Sequence, residues 1–173
     1  MKEITNENPE NQSLVSLISA SVLDQIDVWI AKFPKEQAQS AILPAMLILQ
    51  EYNGGWLSNE LIKALADYLN IPAIAAYEVA TFYSMIELEP IGRHKISICT
   101  NVSCMLNGAE KIVAHLEKKC GAALGETSID GKYTLREVEC MGACIRAPML
   151  EYKKKYYENL TIEKVDELLD TLD

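Results

Sequence analysis

Over residues 13–89 the apolar positions recur at steps of three and four. Leu14, Leu17, Ile18, Val22, Ile26, Trp29 and Ile30 make one such stripe, the mark of an amphipathic helix. Lys32-Phe33-Pro34 ends it, because the residue before a proline is pushed out of the helical region. A second helix is predicted over about 36–51, kinked by Pro44, which costs a backbone hydrogen bond, and closed by Asn53-Gly54-Gly55. Ser58 suits the cap of a third, through Leu61, Ile62, Leu65 and Leu69 to a stop at Asn70. Pro72 suits the first turn of a fourth, which runs to Phe82 or Tyr83. Four helices with short connections predict a bundle over residues 13–90, behind a flexible tail of residues 1–12.

After Pro90 and Gly92 the period changes. Lys95-Ile96-Ser97-Ile98-Cys99 alternates as a strand does. Helical spacing returns over 105–120, with Ala109, Ile112, Val113, Leu116 and Cys120 on one face and Gly121 as a left-handed stop. Asp130-Gly131 is a turn signal, 132–139 and 149–152 read as strands, and a shorter strand is expected around Tyr156-Tyr157. Thr161 can cap a last helix that turns Ile162, Val165, Leu168 and Leu169 inward. The order strand–helix–strand–strand–strand–helix predicts a small sheet with helices packed on it over residues 91–173, and hence an α+β chain.

Composition narrows the functions open to this chain. Its 173 residues suit one ordinary domain or two small ones, and 49% apolar with 24% charged residues is ordinary for a globular protein. Acidic side chains outnumber basic ones 25 to 16, a net charge of −9 that argues against nucleic acid or an anionic lipid surface as partner. The longest apolar run, from Ala41 to Leu49, is far short of the roughly 20 residues that span a bilayer. The first ten residues lack an apolar core and are acidic where a transit peptide is Arg-rich, so a cytoplasmic location is expected. There is no G-x-G-x-x-G, no P-loop and no Ser/His/Asp arrangement, so the chain offers no evident nicotinamide or flavin site of its own.

The cysteines carry the chemistry. An odd count of five in a reducing compartment does not suit a disulfide framework. Cys99-x4-Cys104 follows the first predicted strand and Cys140-x3-Cys144 a later one, so both pairs are expected in loops at strand ends, where they can converge. Four thiolates suit a tetrahedral sulfur site, zinc or iron–sulfur. Zinc knuckles favour C-x2-C, which is absent here, whereas a 2Fe-2S cluster takes two cysteines on each iron. Giving one pair to each iron is a natural division that spacing leaves open. Gly142 and Ala143 let backbone N–H groups approach the sulfurs, and Ser103 offers a hydroxyl. The helix expected near Met105 would turn its positive end to the same place. Arg146 reads either as an influence on the reduction potential or as a surface ion pair, and Pro148 as fixing the loop's exit. Cys120, on an apolar stripe, reads as core; His94 and His115 read as surface or strand-edge residues, not ligands. A centre without a substrate pocket must trade electrons with another protein, and the helical half is its natural docking surface. The reading from another class is a zinc-stabilised interaction module without redox chemistry.

With Cys140-Met141-Gly142-Ala143-Cys144 followed by Ala147-Pro148, the cysteine pattern resembles the thioredoxin-like 2Fe-2S ferredoxins. More closely it is similar to the 2Fe-2S members of that family found in bacterial NADH:quinone oxidoreductase, respiratory complex I. Glu78-Val79-Ala80-Thr81-Phe82-Tyr83 is similar to the segment that joins their helical half to their ferredoxin half, and the likeness runs from about Pro34 to the C-terminus. The resemblance implies a helical bundle over 13–90 and a thioredoxin-like α/β ferredoxin domain over 91–173. It also implies a 2Fe-2S cluster on Cys99, Cys104, Cys140 and Cys144. It further implies an electron-transfer subunit that is not catalytic alone, exchanging single electrons with the flavin of an NADH-oxidising flavoprotein subunit. FMN and NADH then belong to that partner, among other peripheral-arm subunits, and the chain sits at the cytoplasmic face of the inner membrane without inserting. Related chains serve NAD-linked hydrogenases and formate dehydrogenases. Tyr152-Lys153-Lys154-Lys155-Tyr156 departs from the family's acidic or Asn-Asp turn, which leaves local contacts there open.

Overall fold

The structure is a computed structural model that describes residues 13–172. The tail expected over residues 1–12 lies outside the described residues. The chain divides after Pro90 into two compact units.

The first unit is helical: α1 (Leu14–Leu17), α2 (Ala20–Ile30), α3 (Ile42–Tyr52), α4 (Asn59–Tyr68) and α5 (Ala73–Phe82), with 3-10 turns over Lys35–Ala41. The single first helix expected from the stripe is two pieces. Ile18 and Ser19 are extended, which turns Ile18 into the core, and the Ser16 hydroxyl donates to the Ser13 carbonyl at 2.6 Å, competing with the helical ladder. The second helix starts six residues later than expected, after 3-10 turns interrupted at Gln37. Pro44 is therefore the third residue of α3, in the first turn, where a proline is tolerated, and the expected kink is absent. Ser58 caps α4 by accepting from the Leu61 N–H at 3.2 Å, and the left-handed Gly54 and Gly55 close α3, as their residue types require. Leu14, Ile26, Met46, Leu49, Ile62 and Leu65 are fully buried at the centre.

The second unit contains β1 (His94–Cys99), α6 (Val102–Leu106), α7 (Ala109–Cys120), β2 (Tyr133–Val138), β3 (Leu150–Tyr152), β4 (Lys155–Tyr157) and α8 (Ile162–Asp170). The sheet order is β2-β1-β3-β4, with β1 and β2 parallel and the other pairs antiparallel. The helix expected over 105–120 is two, because Gly108 adopts φ +92° and separates α6 from α7. Ile96, Ile98, Leu116, Leu135, Leu150 and Val165 form the core between sheet and helices.

Of the two histidines, His94 is not the surface or edge residue expected, whereas His115 is part-exposed on α7. His94, the first residue of β1, is buried against the rings of Tyr133 and Tyr152, and its Nδ1 lies 2.7 Å from the Tyr152 hydroxyl. His115 Nε2 is 2.7 Å from Asp166 Oδ1, joining α7 to α8.

Candidate metal centre

Parallel pairing brings the two cysteine segments together. Cys99 is the last residue of β1 and lies in register with Val138, the last residue of β2, so Cys140 follows at the same end of the sheet. Cys104 is not in a loop as expected: it is the third residue of α6, whose first residues are Val102 and Ser103. Cys144 opens a single 3-10 turn over Cys144–Arg146.

The pairs differ in environment. Cys99 and Cys104 are buried, in a small apolar cluster with Ala109, Ala143 and Met149, whereas Cys140 and Cys144 are exposed. Burial, then the hydrogen bond with Cys99, pushes the Cys104 thiol up to about 11, against a Met149 N–H that favours its thiolate. Cys140 and Cys144 sulfurs are 3.1 Å apart; this shared hydrogen bond lowers Cys140, helped by the Gly142 N–H at 3.5 Å, and raises Cys144. Cys144 also feels the charge of Cys99, and Cys104 that of Cys144, so the two pairs share one locus. Among the described residues no three His, Cys, Asp or Glu side chains are gathered for a single ion; the thiols stand as two pairs. Two thiol pairs, each with a backbone N–H aimed at a sulfur, fit the donor set of a 2Fe-2S cluster. Cys120 stays apart in the core of α7, where burial pushes its thiol to about 11.

The supporting contacts depart from expectation. The Ser103 hydroxyl donates to the Cys144 carbonyl at 3.3 Å, tying the two cysteine segments and not a sulfur. Arg146 pairs with Glu158 at 2.8 Å, the surface ion pair of the two readings. The Asn101 amide donates to Glu139 at 2.7 Å and the Thr100 hydroxyl to Glu137, so the segments leaving β1 and β2 are cross-braced. Tyr156 of β4 donates to the Met141 carbonyl at 3.1 Å, and the Asn159 N–H to the Arg146 carbonyl at 2.7 Å. Sequence reasoning passed over Asn101, Glu139 and Tyr156; Asn101 alone carried a signal, as an Asn at a helix N-cap that accepts from the Val102 N–H.

A mixed sheet that brings two cysteine pairs together at one end of adjacent parallel strands offers the donor set of a thiolate-bound metal centre. Residues 26–173 match the family model of the thioredoxin-like 2Fe-2S ferredoxins, and the chain belongs to that family. It is 46% identical over 141 residues to the E subunit of NADH-quinone oxidoreductase from Rickettsia felis, covering 82% of this chain and 84% of that one. It is 39% identical to the mitochondrial NADH dehydrogenase [ubiquinone] flavoprotein 2 of Dictyostelium discoideum, covering 87% of this chain and 61% of that protein. Among solved structures, an air-oxidised NAD+-reducing NiFe hydrogenase shares the fold at a TM-score of 0.63 and 18% identity, over 73% of this chain and 22% of that chain.

Proposed function

We propose that this chain is the 2Fe-2S electron-transfer subunit of an NADH:quinone oxidoreductase, with Cys99, Cys104, Cys140 and Cys144 as ligands. The observation that carries it is the convergence of two cysteine pairs at one end of the sheet, one pair buried and one at the surface, in a chain of this family. The likeness to the Rickettsia felis protein over most of both chains supports this assembly over a hydrogenase or formate dehydrogenase.

When bound, the cluster supplies a one-electron redox couple. The chain's own residues do the rest. Cys99 and Cys104, packed with Ala109 and Met149, keep water from one side. The N–H groups of Gly142 and Met149 offset negative charge at the sulfurs of Cys140 and Cys104, where burial would otherwise penalise it. Cys140 and Cys144 open to the surface beside Ile145, 93% exposed, and α6 exposes Val102 and Leu106. These apolar surroundings suit docking of a protein partner. The partner is the NADH-oxidising flavoprotein subunit, holding FMN and binding NADH, among other peripheral-arm subunits; this chain is not catalytic alone. No helix among the described residues is long and apolar enough to cross a membrane, in keeping with attachment to the cytoplasmic face through the complex.

The test is the visible and electron-paramagnetic-resonance spectrum of anaerobically purified protein, before and after dithionite. Visible bands that bleach as a spin-one-half signal appears, with two irons per chain, are expected. A colourless, iron-free chain with stoichiometric zinc would remove the electron-transfer reading and leave the interaction module.

A further inference from the structure

β2 is the outer strand of the sheet, and only its first half is covered. The Leu135 N–H donates to the Glu126 carbonyl at 3.0 Å and its carbonyl accepts from the Gly125 N–H at 2.8 Å. The Ser128 N–H likewise donates to the Tyr133 carbonyl at 2.8 Å. Alternate residues of a strand direct their backbone groups to the same side, so Glu137 turns its N–H and carbonyl to the outer edge, as Tyr133 and Leu135 do. The covering segment ends at Gly125, one residue after Leu124. Beyond it the Arg136 guanidinium donates to the Gly125 carbonyl, and at Glu137 the outward backbone N–H and carbonyl offer a template for another strand.

A groove of about 400 Å³ lies beside this open half. Met105, Val113 and Leu124 give it an apolar lining, and Glu110, Glu117 and Glu137 place three carboxylates around it. Among the described residues no Lys or Arg pairs with any of the three: Glu117 accepts from the Leu124 N–H at 2.9 Å and Glu137 from the Thr100 hydroxyl, which leaves carboxylate oxygens over. An incoming backbone would meet the Glu137 N–H and carbonyl, and alternate side chains would fall into the groove.

We infer that the open half of β2 and the groove beside it receive an extended segment of the partner flavoprotein subunit bearing Lys or Arg, which adds to the sheet as an outer strand. Charge complementarity selects this occupant: a segment with acidic or purely apolar side chains would leave three carboxylates facing it without a cation. Thr100 and Met105, which line the groove, adjoin Cys99 and Cys104, so the docked segment anchors the partner beside the cysteine site. The inference rests on the reading of this chain as a subunit that docks a flavoprotein.

The test uses the full, cluster-loaded chain and the purified flavoprotein subunit of the same complex. Binding is measured by titration calorimetry for the wild type, for Glu110→Lys combined with Glu117→Gln, and for Asp170→Lys, which changes charge on α8 outside the groove. The glutamine keeps an acceptor for the Leu124 N–H. The expected result is an affinity at least tenfold weaker for the groove variant, a shallower dependence on NaCl than the wild type, unchanged visible spectra, and wild-type affinity for Asp170→Lys. Hydrogen exchange should show the Glu137 amide protected in the wild-type complex. Equal affinity of the groove variant and the wild type, or an unprotected Glu137 amide, overturns the docking site and leaves the flavoprotein partnership standing. No binding of the wild type overturns both.

Discussion

Cys120 separates ligation from burial. It shares the thiol chemistry of the other four cysteines, yet it lies at 5% exposure on the apolar face of α7, away from their locus. Cys120→Ala should keep full iron content and an unchanged reduced spectrum while costing about 1 kcal/mol of packing. Loss of iron in that variant would show the ligand set to be wrong. Gly92 is constrained in a different way. A Cβ there would stand 2.9 Å from the Tyr133 carbonyl carbon and 3.0 Å from the Gly131 oxygen, both backbone atoms of the neighbouring strand and its turn. Its N–H also donates to the Thr134 hydroxyl at 2.6 Å, so the strand cannot retreat without losing that bond. Gly92→Ala is expected to lower stability by about 1–3 kcal/mol. A urea midpoint equal to the wild type's would show that the sheet yields freely at that point.

At the scale of elements, the β3–β4 hairpin carries avoidable strain. Its two-residue turn is Lys153-Lys154, with φ of 51° and 62°, the left-handed pair that Asn-Gly adopts at lower cost. Replacing both lysines by Asn-Gly should raise stability by about 1 kcal/mol. That exceeds the roughly 0.5 kcal/mol lost with the Lys153 ammonium, 5.3 Å from the centre of the Tyr152 ring. A melting temperature that falls would contradict it. The clamp between α7 and α8 sets an acid limit. Hydrogen bonds from His115 and Lys119 hold the Asp166 carboxyl below its ordinary 3.8. Since the folded-state value is the lower one, the contribution is fully present above pH 3.8 and is lost as pH falls through the folded value. Asp166→Asn should therefore flatten the acid limb of the stability–pH curve below pH 3.8, read from urea midpoints measured across that range.

These elements also show how far the sequence could be read. The strand ends, the Ser58 and Thr161 caps and the stops at Gly54-Gly55 and Gly121 were legible because each depends on one residue's own chemistry. The α+β order was legible from the change of apolar period after Pro90, and the convergence of the cysteine segments from their places after β1 and β2, although Cys104 and Cys144 lie in helical turns and not in loops. The breaks at Ile18–Ser19 and Gly108 were not, because apolar spacing continues across them; at Gly108 the glycine's own positive φ ends the helix. His94 was misread because the rings that cover it, Tyr133 of β2 and Tyr152 of β3, lie far away in sequence. The cross-braces Asn101–Glu139 and Tyr156–Met141 join residues 38 and 15 positions apart, and no local pattern announces such pairs.

Each unit of the whole molecule has its own core, one around Met46, Leu49 and Ile62, the other around Ile98, Leu116 and Leu135. The cysteine site has a third, much smaller apolar cluster, in which Cys99 and Cys104 are themselves core residues beside Ala109, Ala143 and Met149. Five small or medium side chains bury too little surface to order residues 139–149 alone, so a metal centre held there adds its binding free energy to local folding. The main sheet core, with Leu135, Leu150 and Val165 fully buried, does not depend on it. Stripping iron with a chelator under anaerobic, thiol-reducing conditions should therefore act unevenly. Amide exchange should quicken by tenfold or more over 139–149 and in α6, while β1 through Ile98, α8 and the helices around Met46 and Ile62 keep their protection. Loss of protection across all of residues 91–172 would mean that the centre holds the whole sheet together, and unchanged exchange at 139–149 would mean that the cross-braces alone order the loop.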